Sequence, residues 1–305
     1  MKTLIAHPEF EYLADELVMR NPETIRKWDV KFLKFPDGTP AFELPNVKTD
    51  IEHQDVTYIA DFSQPETLFE NYNLLFNLVK NTASKVRIIM PFFPMGTSER
   101  VEKKWKTETA HAYGHMISSL PSGWSAKNSI HIFDIHALVE QSLFNVDRIN
   151  AQLHTTTSLL DIPEGSAVVF PDDGAAKRFK ENFSESVDKI ICIKVRGAWE
   201  KREITLKEWD PRDKDVILVD DLIQTGGTLR EAARMLRDKW ARSVRAFAPH
   251  GVFPGGSHIA LASELDELIV TDTIPANIDR ANAVNNMRVI SIAPLVEKIL
   301  LRHKE

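Results

Sequence analysis

Short apolar segments alternate with amphipathic ones along the whole chain. The apolar segments lack the one-in-two alternation of a half-exposed strand. Such uniform runs are typical of parallel strands whose two faces are both covered by helices. The predicted strands are Thr3–Ala6, Val56–Ala60, Val86–Met90, Ile130–Phe133, Ala167–Phe170, Ile190–Val195, Val216–Val219, Val244–Ala248, Leu268–Val270 and Val289–Ile292.

Helical periodicity fills intervals between these strands. Glu66–Lys80 and Leu229–Trp240 carry apolar residues at three- and four-residue steps. A last helix, Pro294–His303, could pack on either half of the chain. Alternating strands and helices predict an α/β fold, and ten strands fit two sheets better than one. We therefore expect two domains, residues 1–148 and 149–305, each a parallel β-sheet flanked by helices.

Charge and cysteine content narrow the class of protein. With 38 basic and 44 acidic residues, the chain gives no electrostatic reason to expect a nucleic acid or a membrane as partner. Its single cysteine, Cys192, lies in an apolar run and is expected to be a small buried side chain, and no intramolecular disulfide is possible. The first residues are too weakly apolar for a signal peptide, and no segment approaches the length that crosses a bilayer. We expect a soluble, cytoplasmic protein.

The most informative segment is Val216–Thr228. A buried strand ends in Asp220 and Asp221, Thr225-Gly226-Gly227-Thr228 follows, and a helix begins there. Glycines let a backbone approach a ligand closely, and a helix N-terminus attracts anions. The loop therefore predicts a phosphate site, and the two acids suit a neighbouring diol or magnesium ion. Phosphate and diol together describe a ribose phosphate; the alternative is a glycine-rich turn with capping residues and no ligand.

Four more polar residues follow or extend predicted strands. Asp172 either caps the next helix or contacts magnesium, and these roles are compatible. His136, beside Asp134, is either structural or a contact for metal or phosphate. Lys194 and Arg196 share one side of an extended segment, where they either bracket a polyphosphate or form a solvated charged face. The chain has no Walker loop and no dinucleotide-binding glycine motif.

The segment VILVDDLIQTGGTL resembles the phosphoribosyl-binding loop of type I phosphoribosyltransferases and of ribose-phosphate diphosphokinases. The resemblance to the diphosphokinases extends along nearly the whole chain, whereas a transferase would match only its second half. The other matching segments are Phe35–Gly38, Pro91–Pro94, Asp134–His136, Pro171–Gly174 with Lys177 and Arg178, Lys194–Arg196, His250–Phe253 and Thr271–Pro275.

This resemblance implies two phosphoribosyltransferase-like domains, the first on the ATP side and the second on the ribose 5-phosphate side, with the active site between them. It implies transfer of the β,γ-diphosphoryl group of ATP to the 1-hydroxyl of ribose 5-phosphate, with Mg²⁺ as cofactor. Family members are homo-oligomers whose adenine loop reaches a neighbouring subunit, so a homo-oligomer is expected. The implied catalytic residues are Lys194 and Arg196. The implied ribose 5-phosphate ligands are Asp220, Asp221, Thr225, Gly226, Gly227 and Thr228. The implied ATP ligands are Phe35, Asp37, Thr97, Ser98, Arg100 and His136, and the implied metal contacts are His136 and Asp172.

The chain departs from the usual family pattern in three places. Thr97 and Ser98 replace an arginine and a glutamine of the ATP-contacting segment, and Asp173 replaces an alanine. Both changes resemble the plant-type, class II subgroup. Gln224 stands where the loop often carries an acid. Two alternatives stay open: a type I phosphoribosyltransferase, and a non-catalytic regulatory relative of the synthetase.

Overall fold

The computed structural model describes residues 1–81, 83–94, 109–123, 125–135, 143–196, 202–206 and 209–301. The chain forms two compact units. The first unit contains Met1–Thr155 and the last helix, and the second unit contains Thr156–Ile292.

The first unit is built on a six-stranded sheet in which every neighbouring pair is parallel. The strand order is β2-β1-β5-β6-β7-β8, and β3 and β4 form a separate antiparallel hairpin. In chain order the elements are β1 Lys2–Ala6, α1 Glu11–Arg20, β2 Ile25–Lys27, β3 Lys31–Lys34, β4 Pro40–Glu43, α2 Val47–Asp50, β5 Asp55–Ile59, α3 Pro65–Lys80, β6 Lys85–Met90, α4 Thr109–Ser118, β7 Asn128–Phe133 and β8 Ile149–His154.

The second unit is built on a seven-stranded sheet of order β11-β10-β9-β12-β14-β16-β17. All neighbouring pairs are parallel except β10 and β11. The elements are β9 Ala167–Phe170, α5 Asp173–Phe179, β10 Asp188–Arg196, β11 Arg202–Leu206, β12 Asp215–Val219, β13 Leu222–Ile223, α6 Gly227–Asp238, β14 Ser243–Ala248, β15 His250–Gly251, α7 Ser257–Ala262, β16 Glu267–Thr271, α8 Ala276–Ala283 and β17 Met287–Ile290, followed by α9 Ala293–Leu301.

The two units repeat one topology. In the first sheet, β2 lies at one side of β1, and β5 to β8 follow in order on the other side. In the second sheet, β10 lies at one side of β9 with β11 beyond it as an added edge strand, and β12, β14, β16 and β17 follow in order on the other side. β1 therefore corresponds to β9, β5 to β12, β6 to β14, and β7 to β16. The carboxyl ends of corresponding strands can be compared directly.

Burial on both faces explains the uniformly apolar strands. Val216 and Leu218 of β12 belong to one core, together with Leu229 and Leu236 of α6. Ile217 and Val219 of the same strand belong to a second core on the opposite face, with Phe179 of α5. A strand between two cores has no position left for a polar side chain, so the predicted parallel-sheet α/β fold is confirmed.

All ten predicted strands are present, with ends that shift by a few residues. The last one begins at Met287 and ends at Ile290, because the Ile292 N–H leaves the ladder and donates to Asp272 Oδ1 at 2.8 Å. Sequence periodicity misses β2 and β8, which are the edge strands of the first sheet. β8 is only partly buried after Ile149, so it needs no continuous apolar run.

The last helix packs on the first unit. Lys2 Nζ donates to the Leu300 carbonyl, and Arg20 Nε and Asn21 Nδ2 each donate to Glu297 at 2.8 Å. Cys192 is buried, as expected. Among the residues described here, no helix is both long and apolar enough to cross a membrane.

Candidate functional site

Three carboxylates lie at the carboxyl ends of two neighbouring strands of the second unit. Asp172 follows β9, Asp220 and Asp221 follow β12, and these strands pair in parallel. Asp172 caps α5, because its Oδ1 accepts the Ala175 N–H at 3.1 Å. Asp221 is 7% exposed, and its Oδ2 accepts a hydrogen bond from Arg178 Nη1. The predicted capping role of Asp172 is confirmed, and it places this carboxyl group beside the acids of β12.

The surroundings of Asp220 make its carboxyl group harder to ionise. Burial raises the pKa of Asp220 well above its ordinary value, and the charges of Asp221 and Asp172 act in the same direction. Arg178 forms an ion pair with Asp221. Carboxylates that lie this close together favour an added cation, because it would offset their mutual repulsion.

The donor atoms fit magnesium. Carboxylate oxygens are preferred ligands of Mg²⁺, which usually keeps waters and substrate oxygens besides one or two carboxylates. No group of three or more histidine, cysteine or acidic side chains within the described ranges is arranged to hold a metal by itself. The site is therefore suited to a magnesium ion completed by water and by a phosphorylated substrate, and not to an all-protein metal cage.

The loop between β12 and α6 offers backbone N–H groups to an anion. Gly226 adopts the left-handed conformation, with φ at 73°, and α6 begins at the next residue. The first helical hydrogen bond of α6 runs from the Arg230 N–H to the Gly226 carbonyl at 2.9 Å. The N–H groups before it have no partner within the helix. Thr225 and Gly227 are exposed and Thr228 is half-buried, so solutes can reach this end of the helix.

The chain on both sides of this loop is fixed by contacts that the sequence pattern does not reveal. β13 enters the loop and pairs in parallel with β15. The Val252 N–H donates to the Ile223 carbonyl at 2.9 Å, and Ser257 Oγ donates to the Gln224 carbonyl at 3.2 Å. On the other side, a Cβ atom on Gly226 would lie 2.9 Å from Leu261 Cδ2. The loop backbone is thus held in its open shape before any ligand arrives.

The sequence predicts no separate role for Arg178, which belongs to one of the segments that match the diphosphokinases. In the structure its guanidinium holds Asp221, which lies 43 positions later in the chain, and lies 6.0 Å from the centre of the Phe179 ring. No local spacing rule links residues so far apart. The available signal was the position of Arg178 on the helix that follows Asp172.

The candidate adenine contacts of the first unit lie at the tip of the β3–β4 hairpin. The Phe35 N–H donates to the Thr39 carbonyl at 2.9 Å, and the Gly38 N–H donates back to Phe35 at 2.8 Å. Asp37 Oδ1 accepts the Thr39 N–H at 2.9 Å, which lowers the pKa of Asp37. The Phe35 side chain is 58% exposed. The predicted turn is confirmed, and it presents an aromatic ring and a carboxylate to solvent.

The remaining candidates are described only in part. β10 is regular through Lys194 and Arg196, which pair with Ile204 and Arg202 of β11. This confirms the predicted extended backbone, while the side chains of both residues lie outside the described part. Thr97, Ser98, Arg100 and His136 also lie outside the described residues.

The repeated parallel sheets, with the glycine loop between β12 and the helix α6, define a protein made of two phosphoribosyltransferase-like domains. The fold is similar to the crystal structure of phosphoribosylpyrophosphate synthetase from Mycobacterium smegmatis, with a TM-score of 0.79 over 98% of each chain and 22% sequence identity. Because the similarity covers both chains almost completely, it extends to both domains.

Sequence relatives identify the family within this class. Residues 172–305 match the family model of the phosphoribosyl synthetase-associated domain. The chain is 33% identical to rice (Oryza sativa subsp. japonica) chloroplastic ribose-phosphate pyrophosphokinase 3, over 93% of this chain and 72% of the relative. It is 34% identical to rice ribose-phosphate pyrophosphokinase 4, over 90% of this chain and 88% of the relative. The chain belongs to the ribose-phosphate pyrophosphokinase family, and its predicted plant-type resemblance is confirmed.

Proposed function

We propose that this protein is a ribose-phosphate diphosphokinase, which makes 5-phosphoribosyl 1-diphosphate and AMP from ribose 5-phosphate and ATP. The observation that carries the proposal is the anion-accepting N-terminus of α6 beside the crowded carboxylates of Asp172, Asp220 and Asp221. A ribose phosphate offers an anion to the first feature and hydroxyl groups to the second. Family relatives that match both units favour this enzyme over a phosphoribosyltransferase.

In this proposal, the 5′-phosphate binds the loop Thr225–Thr228, including Gly226 and Gly227. Its charge meets the partial positive charge of the helix N-terminus. Asp220 and Asp221 accept hydrogen bonds from the 2′- and 3′-hydroxyls, directly or through magnesium. Arg178 keeps the Asp221 carboxylate in one orientation, since its guanidinium donates to Oδ2.

The proposed cofactor is Mg²⁺, with Asp172 and His136 as its protein contacts. When bound, the ion neutralises charge on the diphosphoryl group. The carboxylate cluster supports the proposal, because an added cation offsets the repulsion that raises the pKa of Asp220.

The proposed chemistry is a direct displacement at phosphorus. The 1-hydroxyl oxygen of the sugar bonds to the β-phosphorus of ATP, the bond from that phosphorus to the α,β-bridging oxygen breaks, and AMP leaves. The hydroxyl proton passes to solvent. Such transfers depend mainly on positioning and charge neutralisation. Lys194 and Arg196 are proposed to supply positive charge to the transferred group.

The proposed nucleotide contacts belong to the first unit. The exposed Phe35 ring stacks on adenine, and the Asp37 carboxylate accepts from its exocyclic amine. The fully exposed position of Asp37 and the turn that fixes it support this assignment. Thr97, Ser98, Arg100 and His136 are proposed to contact the rest of ATP.

One assay tests the proposal. Purified protein is mixed with ATP, ribose 5-phosphate and MgCl₂, and AMP is measured with and without the sugar. AMP that depends on the sugar is expected, and its absence would refute the proposal. A phosphoribosyltransferase would instead consume 5-phosphoribosyl 1-diphosphate without ATP, and a regulatory relative would show neither activity alone.

Two variants assign roles within the same assay. Lys194→Ala should lower turnover far more than it weakens ribose 5-phosphate binding, and equal losses would make Lys194 a binding residue. Asp221→Ala should mainly weaken sugar binding. An unchanged apparent affinity would rule out its contact with the diol.

We further propose a homo-oligomer in the cytoplasm. The exposed aromatic ring at the hairpin tip supports contact with a second subunit. Light scattering measures the oligomeric state. Cell fractionation tests the cytoplasmic location against a chloroplast location, which is part of the name of one rice relative.

A further inference from the structure

The first unit has its own set of polar residues at the carboxyl ends of its strands. Asp61 lies two residues after β5, as Asp221 lies two residues after the corresponding strand β12. His7 directly follows β1, which corresponds to β9, the strand that precedes Asp172. The repeated topology therefore places His7 and Asp61 at the edge that corresponds to the candidate sugar site. Neither residue has a role in the proposed reaction.

This edge does not form a second phosphate site. The connection from β5 to α3, residues 60–64, contains no glycine, whereas the corresponding loop of the second unit contains Gly226. Pro65 is the first residue of α3 and has no N–H to offer. Phe62 is 1% exposed, and Asp61 Oδ1 accepts the N–H of Ser63 at 2.9 Å. The connection after β5 therefore lacks the glycine turn and one of the helix N–H groups that the second unit has at the corresponding position.

His7 is buried between the sheet edge and the β3–β4 hairpin. It is 5% exposed, its Nδ1 accepts the Glu9 N–H at 3.3 Å, and its ring meets the edge of Phe32 at 5.5 Å between centroids and 75° between planes. An accepting Nδ1 places the ring proton of a neutral imidazole on Nε2. Burial lowers the pKa of His7, and the Asp61 carboxylate opposes this only in part. The ring therefore acts as an uncharged aromatic contact at pH 7.

Phe32 is part of the hairpin and connects His7 to the opposite strand. Phe32 and Phe42 are paired across β3 and β4, and their rings lie 5.4 Å apart at 86°. Phe32 precedes Phe35 at the tip by three residues. On the opposite strand, Asn73 Nδ2 of α3 donates to the Pro40 carbonyl at 3.2 Å. Both strands of the hairpin thus contact the rest of the first unit, and on the Phe35 side one of these contacts is the ring of His7.

We propose that His7 is a positioning residue for the nucleotide, because its ring fixes Phe32 and thereby the hairpin tip that carries Phe35 and Asp37. The inference rests on the proposed role of that tip as the adenine contact. Aromatic pairs of this kind contribute beyond simple burial and hold ring orientation. A loosened hairpin would still reach adenine but would have to be ordered on binding, which weakens ATP binding and leaves the sugar site unchanged.

Two substitutions separate the two contacts of His7. His7→Asn keeps a side-chain oxygen that can accept the Glu9 N–H and removes the ring. His7→Phe keeps a ring against Phe32 and removes the acceptor. Phe32→Leu removes the partner ring, and Lys31→Met is the control, because it breaks only the exposed Lys31–Glu43 ion pair of the same hairpin.

The readouts are hydrogen exchange of the amides in residues 31–43, and the KM values for ATP and for ribose 5-phosphate. His7→Asn and Phe32→Leu should exchange faster in the hairpin and raise the KM for ATP by about three- to tenfold, with little change for the sugar. His7→Phe and Lys31→Met should resemble the parent protein in both readouts.

The inference would be overturned if the KM for ATP rose with His7→Phe but not with His7→Asn. The important contact of His7 would then be the hydrogen bond that its Nδ1 accepts from the Glu9 N–H. Faster hairpin exchange with an unchanged KM for ATP would also overturn it, even if the protein makes AMP. Equal rises in both KM values would show general damage and would likewise count against it. If the parent protein makes no AMP, the proposed function fails, whereas the exchange data still report the anchor itself.

Discussion

Gly226 offers a direct test of the phosphate loop, because alanine at this position meets two separate obstacles. Its φ of 73° lies in the left-handed region, which costs a residue with a Cβ atom about 1 kcal/mol or more. The new Cβ would lie 2.9 Å from Leu261 Cδ2 and 3.3 Å from Leu261 Cβ. Leu261 is fully buried in the core beside α6. Its displacement adds roughly 1–2 kcal/mol, as overpacking of a core does.

Gly227 provides the matched control one position later. It is the first residue of α6, and a Cβ atom there would meet only Thr225 Oγ1, at 3.8 Å. We expect Gly227→Ala to change the free energy of unfolding by less than about 0.5 kcal/mol, as for an unstrained surface site. The added methyl group would stand at the exposed mouth of the loop. It should therefore weaken ribose 5-phosphate binding without weakening the fold.

Thermal unfolding followed by circular dichroism, and calorimetric titration with ribose 5-phosphate, measure the two effects separately. Gly226→Ala should lose about 2–3 kcal/mol, or roughly 6–12 °C in a domain of this size. Gly227→Ala should keep its Tm and lose affinity. Equal Tm values for Gly226→Ala and the parent would refute the steric reasoning. Parent-like sugar affinity in Gly227→Ala would show that the phosphate does not bind at Thr225–Thr228.

Three further predictions concern buried polar groups. Because the pKa of Asp220 is raised from 3.8, the folded state keeps a proton that the unfolded state loses, so the metal-free protein should lose stability as pH rises from about 4 towards the raised pKa. Asp220→Asn should remove this part of the pH dependence in EDTA, and MgCl₂ should have less effect on its melting than on that of the parent; equal pH profiles would contradict the prediction. Arg178→Met removes the guanidinium that pairs with Asp221 and should lower the free energy of unfolding in urea by about 2–4 kcal/mol. The control Arg242→Met breaks a more exposed ion pair with Asp215 and should lower it by less than about 1 kcal/mol. Asn71 accepts a hydrogen bond from the Tyr58 hydroxyl and donates to the carbonyls of Asp61 and Thr67, at 2.6 Å each. Asn71→Ala should therefore lower the free energy of unfolding by about 2–4 kcal/mol, and Tyr58→Phe by about 1 kcal/mol. Similar melting temperatures for the two variants would argue against a shared network.

The features that sequence predicts well are those whose cause is local. The strands of both sheet centres follow from uniform apolar runs, because two helical layers cover them. The Phe35–Thr39 turn follows from Pro36, Asp37 and Gly38, whose side chains and φ preferences favour it without help from the rest of the fold. The candidate anion loop is local as well, since its acids, its glycines and the start of its helix lie within thirteen successive residues, Val216–Thr228.

The features that sequence misses depend on contacts between distant segments. β13 and β15 have two residues each, too few to show any period, and they exist because each is the other's partner. The bond from Arg178 to Asp221 joins residues on two elements that only the sheet order brings together. The anchor of His7 on Phe32 needs the hairpin to fold back over the end of β1.

The two units show how one topology carries two kinds of site. After β12, the second unit places Gly226 in a left-handed turn and opens a helix N-terminus to solvent. After the corresponding strand β5, the first unit has the buried Phe62 and then Pro65 as the first residue of α3, which lacks an N–H donor. Backbone hydrogen bonds set the sheet order, so such changes alter the edge without altering the fold. The connection after β5 therefore lacks the glycine turn that we propose for phosphate binding after β12. The hairpin with Phe35 and Asp37 presents a different pair of groups, an aromatic ring and a carboxylate, to solvent. Under the proposed function, the same edge of the sheet has two uses: in the second unit it binds the sugar phosphate, and in the first unit its His7 contacts Phe32 of the nucleotide-binding hairpin.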